Sequence, residues 1–430
     1  MKLLAKLAGI WNGVDHPFII HSNHTLRFSQ ITAQHTVDLS LIKTGDVVAL
    51  IGDFNPPSIL TLLHLIDLGA IIVPLTNETT HQHTYFFESA LVDILIKDGR
   101  VTRIYHHQKN SLIDALRAKH HAGLILFSSG TTGRPKAILH DLFLFLKRFD
   151  TPRPAHITIN FLLFDHIGGI NTLFHTLFNK GVIVVPEARK IDSVLAVCKK
   201  YAVEVLPTTP TFLRLMLISG AIPGKIPASL KIITYGTERM DQPTLDELCQ
   251  LLPLVDFRQT FGMSELGIVR TKSERRDSLF IKIGGEGVET KVVGNVLQIR
   301  SQSRMLGYLN APNPFDDQGW YDTKDVVEIK DQYYKVTGRI SEVINVGGLK
   351  FMASEVERVA LNYPNVALVK AYPQQNPITG QHVELLVQPI SEGEINKNSL
   401  MAFLKEKLPP HMVPMRIHFD KINIGHRFKK

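Results

Sequence analysis

The chain has 430 residues, enough for one large core and a smaller partner and far too many for a peptide, a disulfide knot or a lone zinc module. Hydrophobic residues at 44% and charged residues at 20% are globular proportions, which excludes global disorder. Lysine and arginine outnumber aspartate and glutamate by 48 to 40, and this +8 excess suits an anionic small molecule. The basic clusters, Lys272 to Arg276 and Arg427 to Lys430, are short and lack interleaved aromatics, so no nucleic acid is expected as partner. Two cysteines, Cys198 and Cys249, make neither a disulfide framework nor a cysteine-rich metal site, and they predict a reducing, cytoplasmic setting.

In chain order, MKLLAKLAGIWNGVD reads as a short amphipathic helix without the apolar core and cleavage site of a signal peptide. VVALIG at 47 to 52, a helical SILTLLHLIDLG and AIIVPL at 70 to 75 form a βαβ rhythm, which predicts a parallel sheet. The stretch Ile59 to Leu75 contains His64 and Asp67 and is shorter than a bilayer span, so no membrane span is expected. The rhythm recurs at GLILFSS (123 to 129), HITINFLLF (156 to 164) with a helical NTLFHTLFN, GVIVVP (181 to 186) and LKIITYG (230 to 236). After about residue 280 shorter strands and turns predict an antiparallel β portion. Then come a helix over Ser354 to Leu361, strands VALVKAYPQ and HVELLVQPI, and a helix at LMAFLKEKL. The main boundary falls at Gly338 to Ser341, giving domains 1–338 and 339–430.

The chemistry concentrates at LILFSSGTTGRPKA, residues 124 to 137. After an apolar strand, Ser128, Ser129, Gly130, Thr131, Thr132 and Gly133 leave backbone N–H groups and hydroxyls open to an anion, and Lys136 adds charge for phosphate oxygens. It is not the P-loop pattern, because the lysine follows the second glycine by three positions and Pro135 disfavours helix through Arg134.

SSGTTGRPK resembles the phosphate loop of the adenylate-forming superfamily, which includes the acyl-CoA synthetases. QTFGMSE (Gln259 to Glu265), GWYDTKD (Gly319 to Asp325) and GRISEVINVGGLKFMASEVE (Gly338 to Glu357) match further motifs of that superfamily in the same order. The resemblance covers nearly the whole chain. It implies an α/β fold class: a large N-terminal domain of βαβ-built sheets with a β-barrel-like subdomain, and a small mobile α+β C-terminal domain.

The resemblance also assigns residues. Ser128, Ser129, Gly130, Thr131, Thr132, Gly133 and Lys136 would hold the ATP phosphates, with Thr132 among the catalytic residues. Glu265 would coordinate Mg²⁺ and Ser264 would touch the α-phosphate. Gly236, Thr237 and Glu238 would form the loop beside adenine and the acyl pocket, Phe261 between Thr260 and Gly262 would stack on adenine, and Asp325 would bind the ribose hydroxyls beside Arg339. His166 in LFDHIGGI resembles a gate beside the acyl pocket, and Gly347, Gly348 and Lys350 would line a tunnel for a pantetheine thiol. Two departures stand out. Lys324 replaces the family's glycine between Thr323 and Asp325, a change tolerated where the backbone angle is ordinary. At the C-terminus, DKINIGHRFKK puts His426 where an ungapped match needs the catalytic lysine, and a short shift brings Lys429 or Lys430 into that role; Lys429 is the favoured residue. The implied reaction joins a small carboxylic acid to a thiol through an acyl adenylate, with ATP, Mg²⁺ and coenzyme A. Phosphopantetheine on an acyl carrier protein is the alternative acceptor, and a nucleotide-binding scaffold without adenylation is a third reading.

Overall fold

The computed structural model describes residues 2–22, 24–31, 37–104, 109–128, 133–391 and 393–425. Two seven-stranded sheets carry the first half. The first runs Asp256–Gln259, Ile232–Tyr235, Val205–Thr208, Ile157–Ile159, Val182–Val185, Pro17–His21, His24–Arg27, parallel up to the closing Pro17–His21/His24–Arg27 hairpin. The second runs Gly307–Tyr308, Ala137–Asp141, Gly123–Phe127, Ile71–Leu75, Val47–Ile51, Ile94–Lys97, Arg100–Arg103, parallel in its centre and antiparallel at both ends. The central strands are buried on both faces, which is why VVALI and IIVPL read as unbroken apolar runs rather than alternating ones.

Between the sheets lies one large core. It takes Phe18 and Ile183 from the first sheet, Val48 and Ile72 from the second, and Leu62, Phe145 and Phe174 from helices Pro56–Leu68, Leu142–Lys147 and Ile167–Phe178. Arg189 fastens the two sheets near the C-terminal ends of their strands: Nη1 and Nη2 donate to the two Asp53 carboxylate oxygens at 2.8 and 2.7 Å, and Nε donates to the Phe161 carbonyl at 2.7 Å. Such a bidentate fork fixes orientation as well as distance.

The stretch expected as a strand over 156 to 164 is a strand only at Ile157–Ile159. The helix after it begins at Ile167, four residues before NTLFHTLFN, because His166 caps it: the Gly168 N–H donates to His166 Nδ1 at 3.0 Å. The two glycines serve close packing. A Cβ on Gly169 would lie 2.2 Å from the Leu163 carbonyl oxygen, and one on Gly168 would lie 2.6 Å from Leu162 Cδ1.

The antiparallel portion is a third seven-stranded sheet, antiparallel at every pairing, over a core that includes Phe261, Ile281, Leu297 and Val327. A fourth sheet of five strands between Val343 and Phe419, with helices Ala353–Ala360 and Lys397–Lys407, has its own core around Val356, Val369, Leu385 and Leu404. It meets the rest of the chain through Arg214 on the helix Pro210–Ile218, which donates to the Val366 and Ala367 carbonyls at 2.9 and 3.2 Å, and through an Arg239–Glu357 ion pair at 3.2 Å. Among the described residues, no helix is long and apolar enough to cross a membrane.

Candidate active site

A cavity of about 920 Å³ opens where the C-terminal ends of the first sheet's strands face the third sheet. Ser128 and Lys136, Gly236 and Thr237, Thr260 and Gly262, Ser264 and Glu265, His166 and Arg339 all line it, so segments more than two hundred residues apart in sequence converge on one cavity. Ser129, Gly130, Thr131, Thr132, His426 and Lys429 lie outside the described residues.

The lysine end of the glycine-rich loop is held by residues the sequence did not single out. The Tyr85 hydroxyl donates to the Pro135 carbonyl at 2.8 Å, and Asn310 accepts from the Ala137 N–H at 2.8 Å while its amide reaches the Pro135 carbonyl at 3.2 Å. Lys136 Nζ lies 4.9 Å from the centre of the Tyr308 ring, and the Tyr308 hydroxyl donates to Glu265 Oε1 at 2.7 Å. One tyrosine thus touches both the Lys136 ammonium and the Glu265 carboxylate. Burial and the neighbouring Glu265 carboxylate push the Tyr308 and Tyr321 phenols up, so both remain protonated donors.

The residues fit ATP and Mg²⁺. Lys136 and Arg339 supply cations, and Glu265 is a carboxylate beside them; among the described residues no three His, Cys, Asp or Glu side chains converge as an all-protein cage. That donor set suits Mg²⁺, which takes one or two carboxylates and completes its shell with phosphates and water. Thr237 is a β-branched residue at φ +73° with a buried hydroxyl that has no hydrogen-bond partner, and Gly236 approaches Thr260 so closely that a Cβ would meet its hydroxyl at 2.2 Å. An outlying backbone angle and an orphaned donor beside the cavity mark a loop shaped for a ligand.

Five expectations change. Phe261 does not stack in the cavity: it is buried in the core of the third sheet, while its neighbours Thr260 and Gly262 line the pocket, as strand alternation requires. Glu238 turns away; its carboxylate accepts from the Thr211 N–H at 2.7 Å, at the electropositive start of helix Pro210–Ile218. Asp325 lies behind Arg339, whose Nε donates to it at 3.2 Å, and burial raises its carboxyl to about 6 although Arg339 pulls the other way. Lys324 has φ +61°, so the lysine occupies the left-handed angle the family's glycine takes at no cost, with its ammonium 2.6 Å from Asp322. Gly347 and Gly348, at φ +59° and +89°, form the two-residue turn of the Val343–Val346/Leu349–Met352 hairpin, and neither they nor Lys350 line the cavity.

A family profile described as AMP-binding enzyme matches residues 38–308, more than half of the chain. The chain belongs to the AMP-binding enzyme family. The 2-succinylbenzoate–CoA ligase of Bacillus licheniformis is 25% identical over 94% of this chain and 93% of its own length. The 4-coumarate–CoA ligase-like 6 of Arabidopsis thaliana is 24% identical over 67% of this chain, and that match spans 57% of the plant protein. Among solved structures, ATP-bound MatB from Rhodopseudomonas palustris superposes with a TM-score of 0.83 at 18% identity, covering 99% of this chain and 96% of that one. The o-succinylbenzoate CoA synthetase MenE from Bacillus subtilis, in complex with its acyl-adenylate intermediate, gives 0.79 at 17% identity, covering 100% and 96%. These likenesses extend the fold over the whole chain, beyond the span of the family profile.

Proposed function

We propose that this AMP-binding enzyme activates a carboxylic acid with MgATP and passes the acyl group to coenzyme A. A carboxylate oxygen attacks the α-phosphorus and pyrophosphate leaves; a thiol then attacks the acyl carbon and AMP leaves. The observation that carries this reading is the convergence of Ser128, Lys136, Ser264, Glu265 and Arg339 on one cavity. Preorganised cations and donors around a leaving pyrophosphate are what such a transfer requires. In this reading Lys136 neutralises phosphate oxygens, Glu265 holds Mg²⁺ in the orientation Tyr308 gives it, and Lys429 steadies the transferring phosphoryl group. His166 forms the wall between nucleotide and acyl regions.

The boundary between the units falls at Gly338 to Ser341, and residues 339–430 turn as a body so that Gly348 and Lys350 guide the thiol in the second half reaction. Ser341 lies in the short turn Ile340–Glu342 and lines the cavity, which suits a pivot. An acyl carrier protein is the alternative acceptor. Cys198 and Cys249 are both free thiols, which supports a cytoplasmic setting. The test is carboxylate-dependent exchange of labelled pyrophosphate into ATP. Lys136→Ala lowers it at least about 100-fold, the usual cost of one preorganised charge-stabilising group; Lys429→Ala abolishes it and His426→Ala does not. Exchange in Lys136→Ala equal to the native rate would refute the assignment.

A further inference from the structure

Helix Ile167–Phe178 is two-faced in an unusual sense. Ile170, Leu173, Phe174 and Leu177 enter the core between the sheets. Gly168, Asn171, Thr172, His175, Thr176 and Asn179 all line the cavity, and their spacing of i, i+3, i+4, i+7, i+8, i+11 is a single helical stripe. At a rise of 1.5 Å per residue the stripe runs about 17 Å along the cavity. Opposite it, the first sheet presents Thr158, Val205, Pro207 and Thr234 on one face, with His156 just before the strand Ile157–Ile159 and Arg258 beside Thr234 on the strand Asp256–Gln259.

A solvated groove would account for His175 and Arg258, which are exposed. It does not account for Thr172 and Thr176, which are 9% and 3% exposed. The Thr172 hydroxyl donates to the Gly168 carbonyl at 2.9 Å, whereas the Thr176 hydroxyl is buried with no hydrogen-bond partner in the fold. Buried orphaned hydroxyls carry a desolvation cost that a ligand's own polar atoms would relieve, and a hydrocarbon chain would leave in place.

From this we infer the substrate class: a carboxylic acid whose body carries hydrogen-bonding oxygen groups, hydroxyl or carbonyl, along the wall of helix Ile167–Phe178, in preference to an unsubstituted hydrocarbon acid. The inference rests on the acyl-adenylate reading above. Thr176 selects by contact with the acyl body, with Asn171 and His175 extending the polar wall outward.

Calorimetric binding of non-hydrolysable acyl-sulfamoyladenosines tests it without need of turnover. One pair is 3,4-dihydroxyphenylpropanoyl against 3,4-dimethylphenylpropanoyl; a second is a straight chain bearing carbonyl and hydroxyl groups against the same chain with methylene and methyl in their places. The oxygenated member binds at least about tenfold tighter in one pair or both, and Thr176→Val, of the same shape without the hydroxyl, narrows that ratio. Equal or tighter binding of the hydrocarbon member in both pairs, or a ratio unmoved by Thr176→Val, overturns the inference while leaving acid activation standing. Failure of every analogue to bind overturns the acyl-adenylate reading and the inference with it.

Discussion

Tyr308→Phe removes one hydroxyl and leaves the ring on which Lys136 rests. The lost bond, 2.7 Å from phenol to Glu265 carboxylate, joins a buried donor to a charged acceptor. Hydrogen bonds to charged groups contribute about 1.5–3 kcal/mol net, and each 1.4 kcal/mol is tenfold, so the expected loss is roughly 10- to 150-fold. Tyr321, which also interacts with Glu265, takes over part of the orientation and places the loss in the lower part of that range. Because Glu265 is the proposed metal ligand, the loss appears as weaker apparent Mg²⁺ affinity in pyrophosphate exchange. At saturating Mg²⁺ the KM for ATP stays near native, since Lys136 keeps its place. Burial and the Glu265 charge hold the Tyr308 phenol above its ordinary value, so the native profile shows no break from this group up to about pH 10. A variant with native Mg²⁺ dependence, or one whose ATP affinity falls at every Mg²⁺ concentration, would refute the tyrosine's role in holding the metal carboxylate.

Asp325 gives a stability prediction. Its folded carboxyl titrates at about 6 against 3.8 ordinarily, so ionisation is disfavoured in the folded state, and the chain loses up to about 3 kcal/mol as pH rises from 4 through 6, with no further change above. Measured against Asp325→Asn by denaturant unfolding, the native protein's relative stability falls across that window; a flat difference from pH 4 to 7 would contradict it. Lys324→Gly relieves a left-handed lysine that costs about 1–2 kcal/mol, less about 0.5–1 kcal/mol for glycine's extra chain freedom, so the thermal midpoint rises slightly. A lower midpoint would show that the ammonium contact to Asp322 outweighs the strain.

Much of the site was legible because its chemistry is written in short strings. Ser128 and Lys136, Gly236 and Thr237, and Ser264 and Glu265 each belong to a local turn after an apolar strand, and the strand pattern sets where that turn emerges. What sequence left hidden is non-local or rotational. Tyr85, Tyr308 and Asn310 reach the phosphate loop across separations of 50 to 175 residues, and nothing in their own neighbourhoods signals it. Phe261 looked like a stacking residue, but adjacent strand positions face opposite ways, and Thr260 and Gly262 took the cavity side. The polar stripe of helix Ile167–Phe178 was present in NTLFHTLFN as a three-and-four spacing, yet its meaning depended on which face met the cavity.

The seam between the C-terminal sheet and the rest of the chain bears on how the two proposed half reactions would be balanced. Arg214 donates there to two neutral carbonyls while its Nη1 stays 3.1 Å from Glu247, on its own side of the seam. On parting, the guanidinium keeps its countercharge and the carbonyls exchange one donor for water. The Arg239–Glu357 pair is different, because parting separates opposite charges. Added salt screens that pair and leaves the carbonyl contacts nearly untouched. In the proposed turning of residues 339–430, ionic strength thereby becomes a lever on the partition between adenylating and thiol-accepting arrangements, acting through this pair and the Arg339–Asp325 pair.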